Sequence, residues 1–416
     1  NSTNSGYDSI GIFGYNSTID LKQIEMNFID TSGTVHNLDV YGIKTYASGV
    51  VKIGDDSKIT VSGNVSGLDS NNQPNVMKGM YAGDNATMDS GIIEVGDNLE
   101  LNVINAGTGW TYGIDSYDGA TISVGDGLRL FVTGGKDTRG VEVGFNDAKV
   151  TLGENASIIA NSRDGVALGV FVFNKGKFEA AKDLVINVSA DDGSQWAAGV
   201  LAQGTGSEAV LNGAVISATE GGTASKYNIY GNILNNSGGT VDLTANSGSF
   251  IEGWVSTAST AETNISLEEA SYWKVTGDSN LTHLHNDNSI VDMTHDSNTF
   301  STLTVDNLSG ENGVIKMDID ASQNSLNSDK YIDLYEVNGY TPVGEEGVGT
   351  VLATVNNHNG SFAAVDGEGT LYWKRYELDH QDTADTSGNY TKDWYLKQVT
   401  NIDQPTTSTD TILAAN

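Results

Sequence analysis

The sequence predicts an all-β protein, a right-handed parallel β-helix built from three-strand rungs, and three observations carry that expectation. A motif of glycine followed by an apolar residue recurs every 27 to 37 residues through the first half of the chain. Between copies, β-branched residues alternate with polar ones at period two, which marks half-buried strands, while amphipathic helical patterns are essentially missing. The 416 residues include 50 Gly, suited to tight turns, and only 3 Pro, so nearly every backbone N–H stays available to a ladder.

The motif reads Gly42-Ile43-Lys44, Gly79-Met80-Tyr81, Gly113-Ile114-Asp115, Gly140-Val141-Glu142, Gly169-Val170-Phe171 and Gly199-Val200-Leu201, with a degenerate copy at Asn228-Ile229-Tyr230-Gly231. A second stretch follows each copy: Val51-Lys52-Ile53, Ile93-Glu94-Val95, Ile122-Ser123-Val124, Val150-Thr151-Leu152. A third alternates again: Ile59-Thr60-Val61, Leu99 to Val103, Leu128 to Val132, Leu184 to Val188. One such unit cannot bury its apolar face alone, but stacked units make a continuous core. With each strand pairing to its equivalent one turn away, a rung advances about 4.8 Å, and roughly 12 to 14 rungs give a rod of about 60–70 Å. A β-propeller, the competing architecture, wants four strands per blade and repeats of ~40 residues or more.

Charge narrows the partners. Against 54 Asp and Glu stand 21 Lys and Arg, a net charge of −33 that disfavours nucleic acid and anionic membrane. No run of residues reaches the ~18 apolar positions of a membrane-spanning helix, so direct membrane insertion is not expected. Cysteine is absent, so stability is expected from stacking rather than from disulfides. The first residues carry neither a basic nor an apolar leader segment, and any signal peptide is expected to have been removed.

Past residue 253 the repeat decays into a different series of blocks. Trp273-Lys274-Val275-Thr276-Gly277-Asp278-Ser279 is followed by Phe300-Ser301-Thr302-Leu303-Thr304-Val305, then Asn307-Leu308-Ser309-Gly310 and Gly313. Ser328-Asp329 leads to Leu334, and Trp394-Tyr395-Leu396 closes the series. In this order the blocks resemble the C-terminal end of the passenger domain of pertactin-like (type V secretion) bacterial autotransporters; the Ser328 to Leu334 block departs slightly from the family pattern. The resemblance covers about residues 271–396. It implies a Gram-negative cell-surface protein, outer-membrane-attached and extracellular, that crosses the periplasm and leaves through its own C-terminal β-barrel, with the last part of the passenger folding first. The chain is then expected to divide into a β-helix repeat region over 1–252, C-terminal rungs with an autochaperone-like cap over 253–398, and a polar linker over 399–416 leading toward a barrel that the sequence does not contain.

Candidate sites are sparse. Asp55, Asp97, Asp126 and Glu154 each follow a glycine at the same turn and are expected to form a column of carboxylates about 5 Å apart. Ordinary turn chemistry accounts for them, and a cation or a basic partner is the functional alternative. The 37-residue repeat from Gly42 to Gly79 carries its excess over 67–78, including Asn71 and Asn72, and insertions in solenoids emerge as loops, often on a binding face. Trp110 with Tyr112, and Trp196, read as lying in turn-like segments where rings could stack on sugars or pack on neighbouring loops. His283, His285 and His295 with Asp292 have the residue types of a zinc site, but surface polarity explains them equally, so no metal and no cofactor is expected. Gly277-Asp278-Ser279 has the letters of a hydrolase motif but lacks its flanking glycine, and no catalytic residue is assigned.

The expected function is adhesion without enzymatic activity: aggregation and biofilm formation through copies of the chain on neighbouring cells, or attachment to host glycan or extracellular matrix. The alternatives are a β-helical glycan-cleaving enzyme, which would need a groove lined by paired acids with raised pKa values, and a structural stalk.

Overall fold

A computed structural model describes residues 8–29, 38–69, 72–83, 90–190, 197–212, 215–220, 233–246, 249–295, 301–311 and 313–316, together with the backbone of seven strands between 319 and 401. No helix occurs among the described residues. The strands form three long ladders in which each strand pairs with its equivalent one rung away, and the order never departs from chain sequence until the C-terminal end. The chain is a right-handed parallel β-helix, the hand that parallel crossovers take almost without exception.

Among the described residues face 1 has nine strands, from Ser9–Tyr15 through Val40–Tyr46, Val76–Ala82, Trp110–Tyr117, Asp137–Gly144 and Val166–Phe173 to Val255–Thr257. Among the same residues face 2 runs from Thr18–Leu21 with 16 strands, and face 3 from Glu25–Ile29 with 11. Register stacks like on like inside: Ile12, Ile43, Met80, Ile114, Val141, Val170 and Val200 make one inward column of face 1. Ile19, Val51, Ile93, Ile122, Val150 and Phe178 make the matching column of face 2. Each fully buried Val, Ile or Phe contributes about 1.5–3 kcal/mol relative to exposure, which lets a modestly apolar chain hold a single axial core.

The corner from face 2 to face 3 explains its own composition. Asp56, Asn98, Asn155 and Asp183 all sit there with φ between 55° and 60°, and Gly127 takes φ 74°. Left-handed backbone favours Asn, Asp and Gly, so these letters recur at each turn.

The C-terminal end differs. Among the described residues the last strand of face 1 is Val255–Thr257, and the rungs described after it have strands of faces 2 and 3. Their spacing contracts, with Asn264 pairing to His283 and Tyr272 to Ile290. Trp273 is fully buried there and its indole N–H donates to the Gly253 carbonyl at 3.0 Å. Face 2 continues to Val348–Asn356 and then closes with three antiparallel strands, Tyr390–Asn401, Lys374–Ala384 and Glu368–Leu371.

Candidate functional site: a filled trough on face 1

The motif glycines form a column because backbone passes too close for a side chain. A Cβ on Gly42, Gly79, Gly113 or Gly140 would lie 2.6 Å from the carbonyl oxygen of the motif glycine on the following rung. The same glycine resets the alternation of the strand. In Val76–Ala82, Met77 and Met80 both enter the core although they are three residues apart, and Lys78 and Tyr81 both lie outside it. Register is continuous on either side of the glycine and skips it on every face 1 pairing from Ser9–Tyr15 to Ala197–Gln203. The strand therefore bends at the glycine, and outward side chains before and after the bend lean toward each other.

Two outward columns line the resulting trough. Before the bend run Tyr41, Lys78, Tyr112, Arg139, Leu168 and Ala198; after it run Lys44, Tyr81, Asp115, Glu142, Phe171 and Leu201. Contacts cross the bend. Lys78 Nζ lies 2.5 Å from Asp115 Oδ2, and the Arg139 guanidinium bonds Glu142 and, at 2.6 Å, Asp137. Aromatic faces close over the cations: Lys44 is 4.0 Å from the Tyr41 ring centroid, Lys78 4.3 Å from Tyr81, and Arg139 4.7 Å from Phe171 and 4.9 Å from Tyr112. Toward the C-terminal side the lining turns apolar, with Leu168, Phe171, Ala198 and Leu201 packed as a second, external cluster.

The trough is filled by its own side chains. Asp115 is 1 % exposed and Glu142 6 %, although both point away from the core. Burial pushes the Glu142 carboxyl up to about 7, with Arg139 opposing and Asp115 reinforcing the shift. Burial also lifts the Tyr81 phenol to about 12 and pushes those of Tyr41 and Tyr112 upward. For Lys78 burial acts to lower the pKa, and the neighbouring Asp115, Tyr81 and Glu142 more than offset it. Asp115 Oδ1 is buried and receives no hydrogen bond.

The acidic column predicted from the sequence exists and has a structural cause. The Asp97 N–H donates to Asp55 Oδ1 at 2.9 Å, the Asp126 N–H to Asp97 Oδ1 at 2.9 Å, and the Glu154 N–H to Asp126 Oδ1 at 2.8 Å. Each carboxylate accepts from the backbone of the next rung, while the side chains remain exposed on the edge between faces 2 and 3. Of the insertion, Asn72 is exposed with φ 62° at the tip of a small hairpin bridged from Leu68 to Pro74, and Asn71 lies outside the described residues. The excess ends at Asn75, because Val76 and Lys78 already belong to face 1.

Trp110 and Tyr112 are not in a turn. They stand in the strand Trp110–Tyr117, outside the core and stacked at 6.3 Å, because Thr111 between them takes the inward position. Trp196 lies outside the described residues. The histidines do not converge: His283 faces Glu262 at 3.9 Å, His285 faces Ser309 at 2.8 Å, and no group of three or more metal-ligating side chains occurs among the described residues. Asp278 and Ser279 serve the fold, Asp278 accepting the Thr302 N–H at 2.7 Å and Ser279 Oγ the Val255 N–H at 3.2 Å.

Sequence reasoning missed the trough. Its signal was present in the residues flanking each motif glycine: one large or charged side chain just before it and another two positions after the apolar residue's glycine, as in Lys78-Gly79-Met80-Tyr81. Nearby, Arg163 reaches over one rung at the corner between faces 3 and 1, donating to the carbonyls of Asn105 at 2.7 Å and Gly107 at 3.1 Å.

No protein-family model matches the sequence, and no curated protein matches it. Among solved structures, the chain is similar to the crystal structure of the autotransporter UpaB from E. coli strain CFT073, at 14 % identity over 94 % of this chain and 100 % of that one, with a TM-score of 0.37. The β-helix assignment stands on the strand pairing described above.

Proposed function

We propose that this chain is the surface-displayed passenger of a bacterial autotransporter, a non-enzymatic adhesin that joins cells through the outer surface of its rod. The supporting observation is the charge ladder on the exposed outer sides of faces 2 and 3. Asp20, Lys52 and Glu94 follow one another along face 2, and Glu25, Lys58, Glu100 and Arg129 along face 3. Alternating charge at one fixed strand spacing can meet the same ladder on a second copy, and many weak pairs sum to avidity without a hot spot. A net charge of −33 opposes that contact, so screening should favour it.

The paired acids Asp115 and Glu142 are the feature that speaks for a glycan-cleaving enzyme. Their burial beneath neighbouring rings, with Lys78 and Arg139 already bound to them, favours a structural role instead. The test is display of the full protein on a non-aggregating bacterium, scored for settling across a salt and Ca²⁺ series and for binding to glycan and matrix arrays. Settling that rises with ionic strength supports self-association; cells that remain dispersed throughout, with hydrolysis of an arrayed glycan, would overturn the adhesin reading.

A further inference from the structure

Lys78, Asp115 and Glu142 stand on three successive rungs of face 1, and together they have the composition of a self-acylating site. Lys78 Nζ approaches one oxygen of Asp115 at 2.5 Å, and Tyr81, Tyr112 and Tyr41 surround the ammonium with ring centroids at 4.3, 5.4 and 5.9 Å. Glu142 is the register neighbour of Asp115 in the same outward column. We propose that Lys78 and Asp115 join in an intramolecular isopeptide bond, with Glu142 relaying the protons.

The step balances without a co-reactant. A proton passes from the Lys78 ammonium to the carboxylate pair, leaving a neutral amine whose lone pair attacks Asp115 Cγ and forms the C–N bond. A second proton leaves the nitrogen for the departing oxygen, the C–O bond breaks, and one water is released; Glu142 ends as it began. Burial works toward the neutral amine while Asp115, Tyr81 and Glu142 hold the proton on Lys78, so the reactive amine is the minor form and proton exchange within the cluster generates it. Two further observations fit. Asp115 Oδ1 lacks a donor, and a protonated Glu142 beside it is a group able to supply one. The Glu142 carboxyl pushed up to about 7 gives it a proton affinity suited to both accepting and returning a proton near neutral pH. The bond would serve a chain with no cysteine as a covalent tie between neighbouring rungs.

Intact-mass spectrometry of the denatured full chain, followed by peptide mapping, tests the proposal. The expected mass is the sequence mass less one water, with a branched peptide linking Lys78 to Asp115. Lys78→Met and Asp115→Ala should each restore the full sequence mass. Glu142→Gln should retain a folded far-ultraviolet spectrum yet form the bond at least tenfold more slowly, with the neutral-pH dependence of its rate lost; a merely structural Glu142 would leave that pH profile unchanged. A wild-type chain at full sequence mass overturns the proposal. So does a water lost elsewhere, as a succinimide at Asp118-Gly119 or Asp126-Gly127, which mapping distinguishes because it forms no branch.

Discussion

Lys78–Asp115 on face 1 and Lys52–Glu94 on face 2 bring nitrogen and oxygen to the same 2.5 Å. Both join neighbouring rungs. Their surroundings differ: the side chains of the first pair are 13 % and 1 % exposed, those of the second 46 % and 47 %. The cause is a single residue type. Face 2 alternates without interruption, so its outward side chains fan into water. Face 1 bends at its glycine column, and its outward side chains bury one another. Water screens the exposed pair almost entirely, whereas breaking a buried pair strands a charge at a cost of several kcal/mol. One β-helix thus carries two kinds of outer surface, one available for weak multivalent contact and one that behaves as a second core.

The sharpest way to break the contrast is Arg139→Met. It strands Asp137 and Glu142 in the trough and should cost about 3–5 kcal/mol in denaturant unfolding; a loss below about 1 kcal/mol would mean that the trough is as well solvated as face 2. Next comes pH. The Glu142 carboxyl has an ordinary value of 4.5 and a folded value of about 7, so the folded chain binds the extra proton between those limits. Its contribution is fully present below about pH 4.5 and is lost as pH rises through 7, with an upper bound of about 3 kcal/mol. Melting temperature measured from pH 5 to 8 should therefore decline more steeply in the wild type than in Glu142→Gln. Gly113→Ala tests the bend itself. Its Cβ would meet the Gly140 carbonyl oxygen at 2.6 Å and Leu130 Cδ1 at 2.7 Å, and should cost about 1–3 kcal/mol. Gly277→Ala, where the nearest atom is 3.7 Å away, is the matched control and should leave the midpoint nearly unchanged. Smallest is Glu94→Gln on face 2, expected to leave the unfolding midpoint nearly unchanged and to have less effect still in about 0.5 M salt, where screening of an exposed pair is strong.

Much of the architecture was legible in the letters. Inward columns such as Ile43, Met80, Ile114 and Val141 announce themselves because one residue type repeats at one place in each unit. The turn acids were also visible, though not the bond that explains them, since a period in sequence does not show whose N–H a carboxylate accepts. The trough was hidden for a physical reason. A period-two reading places Lys44, Tyr81, Asp115 and Glu142 outside, which is correct, and then assumes that outside means solvated. The bend that removes the solvent depends on carbonyl oxygens of the following rung, and these meet the glycine only in three dimensions. Trp110 and Tyr112 were misplaced for a related reason: Gly107 and Gly109 just before them look like an extended turn, whereas the strand begins directly after it.

Arg163 has a bearing on how the rod comes apart. In a stack where each rung touches its immediate neighbours alone, unfolding can stop at any rung boundary, and the rod frays like a pile of coins. By reaching past the intervening rung to the carbonyls of Asn105 and Gly107, Arg163 ties second neighbours together. Strands Glu100–Asn105, Arg129–Gly134 and Ser157–Ser162 should then open as one block in native-state hydrogen exchange, and Arg163→Ala should resolve them into separately exchanging layers.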